Sequence, residues 1–275
     1  KGFSHRGQCR KYILYLSLTN KSIKMKKTFT LLFLLLTFGL FSQEVFYIHT
    51  VNVPSENQEN FENIMTNYVT ALAQDEVAKG TIQAWYLMKR VPNIGENNPD
   101  GMNYLWIHVF DNYETMMAGN QWWNNSTEKY GIEPATLYSG LGGETGGFYY
   151  WQTEKELESD TPGDFLILNF AKPKDLNTII EVNEDVEKHF KKNLVKSGLV
   201  GWGYASRIAP QNSTSASIMF WDVYDNLTNV MKHMAGGAAL EGLDKSLNAK
   251  FEKANPDGWI NRIILENITG TVPNQ

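Results

Sequence analysis

The stretch Tyr104-Leu105-Trp106-Ile107-His108-Val109-Phe110-Asp111-Asn112 decides how this chain is read, because its last three residues return in kind as Tyr224-Asp225-Asn226. A run of aromatic and β-branched residues that ends in Asp-Asn reads as a strand turning into a helix. The signals around it repeat in the same order: Pro54 answers to Pro173, Gly80 to Gly198, Trp85 to Trp202 and Arg90 to Arg207. The offsets drift only from 114 to 119 residues, which a small indel in a loop explains. A repeat of this length marks a duplicated structural unit, and it bounds the fold before any chemistry is considered.

Each copy spells the same elements. In the first, residues 45–51 form a strand closed by Pro54, and Ser55 with Gln58 fits a capping box. Phe61, Ile64, Met65, Tyr68 and Leu72 make one apolar helical stripe that ends at Gly80. Strands follow over 82–91 and 104–110, then a helix capped by Asp111, then a strand over 148–152. In the second copy the strands are 165–170, 199–208, 217–224 and 259–266. One helix there buries Ile179, Val182, Val186, Phe190 and Leu194, and the last carries Leu240, Leu243, Leu247 and Phe251. The fold class expected is α+β, two tandem ferredoxin-like βαββαβ modules at 44–156 and 157–275.

Residues 25–43 carry processing information. Met25-Lys26-Lys27 leads into Leu31-Leu32-Phe33-Leu34-Leu35-Leu36 and on to Ser42-Gln43, the pattern of a signal peptide too short to span a bilayer. Residues 1–24 read as an upstream extension outside the native protein, and the chain is expected to be secreted or periplasmic. Eight of the 25 basic residues lie before residue 44, leaving 17 against 30 acidic ones, a net charge near −13. That surface repels phosphate backbones and anionic lipid, so neither nucleic acid nor a membrane is an expected partner. The single cysteine, Cys9, lies in the same leading segment, so beyond residue 43 disulfides and thiolate chemistry are excluded.

In the first copy Tyr47 and Val51 oppose Phe46 and Ile48, so the sheet is apolar on both faces and needs a second cover. On this element order and the Asp-Asn turn after the third strand, the stretch 45–266 resembles the dimeric α/β-barrel superfamily, in which two such modules pack sheet to sheet. Here both would sit in one polypeptide, as a monomeric pseudo-dimer or as half of a homodimer. The resemblance implies a cavity between sheet and helices within a module. Its members range over cofactor-free monooxygenases, haem-dependent enzymes and proteins of unknown role, so it fixes no reaction.

His49 and His108 stand mid-strand in neighbouring strands, where near-neutral imidazoles could move a proton, bind haem or orient an aromatic ligand. The second copy has Leu168 and Asp222 in the corresponding places, which suggests one working module and one structural module. Arg90, separated by four residues from Trp85, suits a carboxylate or an aromatic face, and equally suits an edge-strand position. Tyr47, Trp85 and Trp106 complete a candidate pocket for a small apolar or aromatic ligand. The expected site is therefore His49 and His108 as catalytic pair, with Tyr47, Trp85, Arg90 and Trp106 binding the ligand, no metal ligands, and haem as the one cofactor considered. The function this implies is ligand binding, extended to cofactor-free or haem-assisted oxygenation; the alternative is a non-catalytic protein using solvent-facing Trp122 and Trp123 as an interface. The glycine-rich run 140–147 is expected to be a lid or connector, and His189 and His233 plain helix positions.

Overall fold

The computed structural model describes residues 44–92, 101–119, 122–236 and 244–271. The expected signal peptide and extension, and Leu240 and Leu243 of the expected last helical stripe, lie outside them. The described residues form eight strands interspersed with helices: β1 (Val45–Asn52), β2 (Ala84–Arg90), β3 (Tyr104–Phe110), β4 (Glu144–Glu158), β5 (Phe165–Ala171), β6 (Gly201–Ala209), β7 (Ile218–Tyr224) and β8 (Trp259–Gly270). They close into one antiparallel barrel in the order β1-β3-β2-β8-β5-β7-β6-β4. The runs β4-β1-β3-β2 and β8-β5-β7-β6 share one internal order. The two runs are hydrogen-bonded to each other along two seams, β2 with β8 and β4 with β6. Strand β4 passes through the expected junction at 156/157, pairing with β1 early and β6 late.

Closure gives each strand an inner and an outer face. Phe46, Ile48, Leu105, Trp151, Leu166, Leu168, Met219 and Leu265 fill the barrel. The outer face of the first run carries Val45, Val51, Trp85, Leu87, Tyr104, Trp106 and Phe110, covered by Phe61, Met65, Val69 and Leu72. Phe61 comes from helix α1 (Gln58–Ile64), Leu72 from α2 (Thr70–Lys79), and Met65 and Val69 from the π-helical turn Met65–Val69 that joins the two without a break. Thr70 Oγ1 donates to the Met65 carbonyl at 2.9 Å, accommodating the wider turn. Shorter helices α3 (Tyr113–Ala118), α4 (Asn125–Tyr130) and α5 (Pro134–Gly140) extend this cover. The outer face of the second run is closed by α6 (Leu176–Asn193), α7 (Leu227–Met234) and α8 (Lys245–Ala254). Every large residue expected on the α6 stripe is buried there, and each such side chain contributes about 1.5–3 kcal/mol.

Several local expectations need correcting. Ser55 makes no cap: its hydroxyl meets Glu56, and Gln58 Nε2 reaches back to the Val53 carbonyl instead. Asn112, one residue after Asp111, caps α3 by accepting from the Thr115 N–H. Gly80 does end its helix in a left-handed conformation, at φ 71°. Of the two roles expected for the glycine run, the connector holds: Gly140 ends a helix, residues 141–143 link it to β4, and 144–147 are already strand, where a side chain at Gly146 would strike Met102 Sδ at 2.7 Å. Among the described residues no helix is long and apolar enough to cross a membrane.

Gly203 shows how tight one seam is. A methyl group there would collide with the Trp221 ring and lie 2.7 Å from the Lys155 carbonyl. Gly203→Ala is expected to cost about 1–3 kcal/mol, read as a lower urea midpoint; an unchanged midpoint would show that the β4–β6 seam is slack.

Candidate functional site

Strand parity places five of the six expected residues together. Tyr47 and His49 alternate with Phe46 and Ile48 on β1, and Trp106 and His108 alternate with Leu105 and Ile107 on β3. The register pairs Tyr47 with His108 and His49 with Trp106. On β2, Trp85 lies opposite His108. All five therefore project from the helix-covered face of the first run.

Each imidazole has one ring stacked on it and a second tilted beside it. His108 stacks on Tyr47 at 4.4 Å between centroids, with Trp122 at 6.2 Å. His49 stacks on Phe148 at 3.9 Å and meets Trp106 at 4.9 Å. Trp122 and Trp123, expected to face solvent, are 2% and 8% exposed: they stack on each other at 5.3 Å and lie beside Trp85 and Trp106. They are walls of this site, so they provide no surface interface. Sequence reading missed Phe148 as a site residue; it is 45% exposed and forms the outer side of His49.

The polar atoms here are left unmatched. His49 Nε2, His108 Nδ1 and the indole Nε1 atoms of Trp85, Trp106 and Trp122 are buried without a hydrogen-bond partner. Burial pulls His49 down to about 4, and burial together with the His49 charge pulls His108 down to about 3. Both rings are consequently neutral at pH 7, each able to donate from one nitrogen and accept at the other.

Arg90 is not part of this group. It stands five residues from Trp85, an odd spacing, and so emerges on the inner face. There it lines a cavity of about 220 Å³ at one mouth of the barrel, with Ile48, Leu105 and Trp151.

The second run carries a different arrangement at the matching place. Its registers put Asn169 where His49 stands, correcting the expected Leu168, and put Asp222 where His108 stands. Asn169 Nδ2 donates to Asp222 Oδ2 at 2.7 Å, and Arg262 Nε donates to Asn169 Oδ1 at 2.6 Å. His233 lies 3.7 Å from Asp222 and hydrogen-bonds the Tyr224 hydroxyl at 2.5 Å, so it is more than a plain helix position. Burial pushes the Asp222 carboxyl up, and the charges of His233 and Arg262 hold that rise back.

A haem does not fit the first site. Trp106 and Trp122 stand beside the imidazoles and Trp123 beside Trp106, none more than 8% exposed, and both imidazoles already carry a ring on one face, which leaves no room for its disc. No group of three His, Cys, Asp or Glu side chains among the described residues could hold a metal ion.

Lowered imidazole pKa values tie stability to pH. Below about 6.5 the unfolded chain takes up protons that the folded chain refuses, so stability present above 6.5 is lost as the pH falls toward 4. Glu156, raised to about 7 by burial, contributes with the opposite sign, so the comparison must be between variants. His108→Phe is expected to flatten the fall in unfolding free energy between pH 6.5 and 4; parallel curves for the two proteins would show that His108 titrates alike in both states.

No protein-family model matches the chain, and no curated protein is similar to it in sequence. Solved structures share its fold. A candidate monooxygenase from Fusobacterium nucleatum subsp. nucleatum superposes with a TM-score of 0.50 at 8% identity, over 84% of this chain and 95% of the other. An anthrone oxidase-like protein gives 0.50 at 11% identity, over 84% and 93%. A candidate monooxygenase from Lactobacillus acidophilus NCFM gives 0.49 at 11% identity, over 84% and 96%. The resemblance expected from the sequence therefore holds at the level of fold: this single chain has the architecture of the dimeric α/β-barrel proteins.

Proposed function

We propose that the first half of the barrel binds a small flat aromatic molecule bearing a phenolic or keto oxygen, held between the sheet and its helices. The observation that carries this is the convergence of unpartnered nitrogens. Of the twelve buried side-chain atoms without a hydrogen bond among the described residues, five lie on this one face. Each such atom costs about 1–3 kcal/mol while unmatched, so folding alone does not favour gathering them. Three are indole N–H groups, which only donate, and a ligand oxygen supplies the acceptor they lack. The ring walls supply the apolar remainder of the fit.

The same reading extends to cofactor-free oxygenation, with His108 as base, His49 as its partner and dioxygen as oxidant: the ring carbon para to the ionised oxygen loses its hydrogen and gains one oxygen atom as a quinone carbonyl, and the second oxygen atom leaves as water with that hydrogen and the phenolic proton. An imidazole held at about 3 is a weak base until an anion forms beside it, and the negative charge of an ionising phenol or enol supplies that change. The substrate class is thus an acidic aromatic. The accompanying structural proposal is that the chain consists of two ferredoxin-like βαββαβ modules, the second having exchanged the histidines for the Asn169–Asp222 network. The proposal includes export directed by the segment 25–43, read from its basic start and apolar run, so that the activity would be exerted outside the cytoplasm.

Calorimetric titration of the purified chain with 1-naphthol tests the proposal. Trp106→Phe, which keeps the ring and removes its N–H, and His108→Ala are each expected to weaken binding by about fivefold or more, roughly 1 kcal/mol, with the thermal midpoint little changed. Undiminished affinity together with a fallen midpoint would mark these side chains as packing. Oxygen uptake with 1-naphthol, lost in His108→Ala, separates an oxygenase from a binding protein.

A further inference from the structure

The two barrel-mouth arginines come from opposite walls. In the ring of eight strands β2 and β6 stand four places apart, yet Arg90 and Arg207 line the same cavity of about 220 Å³. Arg207 is the better defined. Its guanidinium lies 5.1 Å from the Tyr149 ring and 5.2 Å from the Trp151 ring, and its Nη1 donates to the Ala216 carbonyl at 3.2 Å. Its Nε is buried and has no hydrogen-bond partner. Among the described residues no carboxylate pairs with this group, and none lines the cavity, although acidic residues outnumber basic ones beyond residue 43.

A guanidinium fixed by two aromatic faces and one carbonyl, with a donor left over, is preorganised for a planar anion. The cavity says which kind. Its floor of Ile48, Leu105 and Trp151 continues the barrel core, Phe170 and Ile263 add apolar wall, and Thr214 and Ser215 supply hydroxyl-bearing side chains. Inorganic phosphate or sulfate would leave that floor unmatched, whereas an apolar body with one carboxylate meets both parts. We infer that the barrel mouth is a second binding site, separate from the histidine face, that takes a small aromatic or branched aliphatic carboxylate on Arg207. Burial draws the Arg207 pKa below its ordinary value, in keeping with a cation that gains from an anionic partner.

Benzoate is the probe and benzamide, of the same shape without charge, its control, each titrated calorimetrically into the full chain. Saturable benzoate binding, weakened at least about tenfold in Arg207→Gln and less in Arg207→Lys, with no binding of benzamide, is expected for loss of a charge-assisted hydrogen bond. His108→Ala should bind benzoate as the unaltered chain does, which separates this site from the one proposed for 1-naphthol. Absence of saturable benzoate binding, equal binding of benzamide, or full affinity in Arg207→Gln would each overturn the inference. Should Arg207→Gln fail to fold, Arg207→Lys and the benzamide comparison decide it: undiminished affinity in the lysine variant, or benzamide binding, overturns the site.

Discussion

The closed hydrogen-bonded ring is the constraint on which everything else rests. With β2 joined to β8 and β4 to β6, each strand has a neighbour on both sides, so no edge remains in the ring along which a strand could slip. Register is thereby fixed, and with period two so is the direction of each side chain. Phe46 and Leu105 must point inward, and Tyr47 and His108 outward to the helices. A one-residue shift would exchange those sets, burying imidazoles among the aliphatic side chains of the lumen and turning the lumen's aliphatics toward the helices.

The outer faces of the two halves solve the same problem in opposite ways. In the second, Asn169, Asp222, Arg262 and His233 satisfy one another, and a buried carboxylate is tolerated because donors and positive charge surround it. In the first, neutral imidazoles and indoles lie against rings and leave nitrogens unmatched. The closed network spends its polar groups on the fold. The open one keeps them available, at a cost in stability that the surrounding aromatic burial offsets.

Much of this could be read in the sequence. Period-two alternation separated the two faces of β1, and the resemblance carried by the element order implied the barrel. The failures have physical causes. Leu168 was matched to His49 because motif offsets drift through loops, whereas pairing registers, which place Asn169 there, do not. Trp122 and Trp123 lie in a single 3-10 turn, Trp122–Asn124, too short to show a period that would reveal that they turn inward. Arg90 was grouped with Trp85 by closeness in the chain, although an odd separation in a strand already assigned it to the other face. The partners of Asp222 lie on β5, α7 and β8, and only the ring brings those together.

Enclosing the ring in one polypeptide changes how its chemistry can be revised. A barrel assembled from two identical chains receives every substitution twice, so a residue useful on one side must be tolerated on the other. Here the position filled by His108 and the position filled by Asp222 are encoded separately. Each can be altered without its counterpart, which lets one face specialise while the other is selected for holding the ring closed.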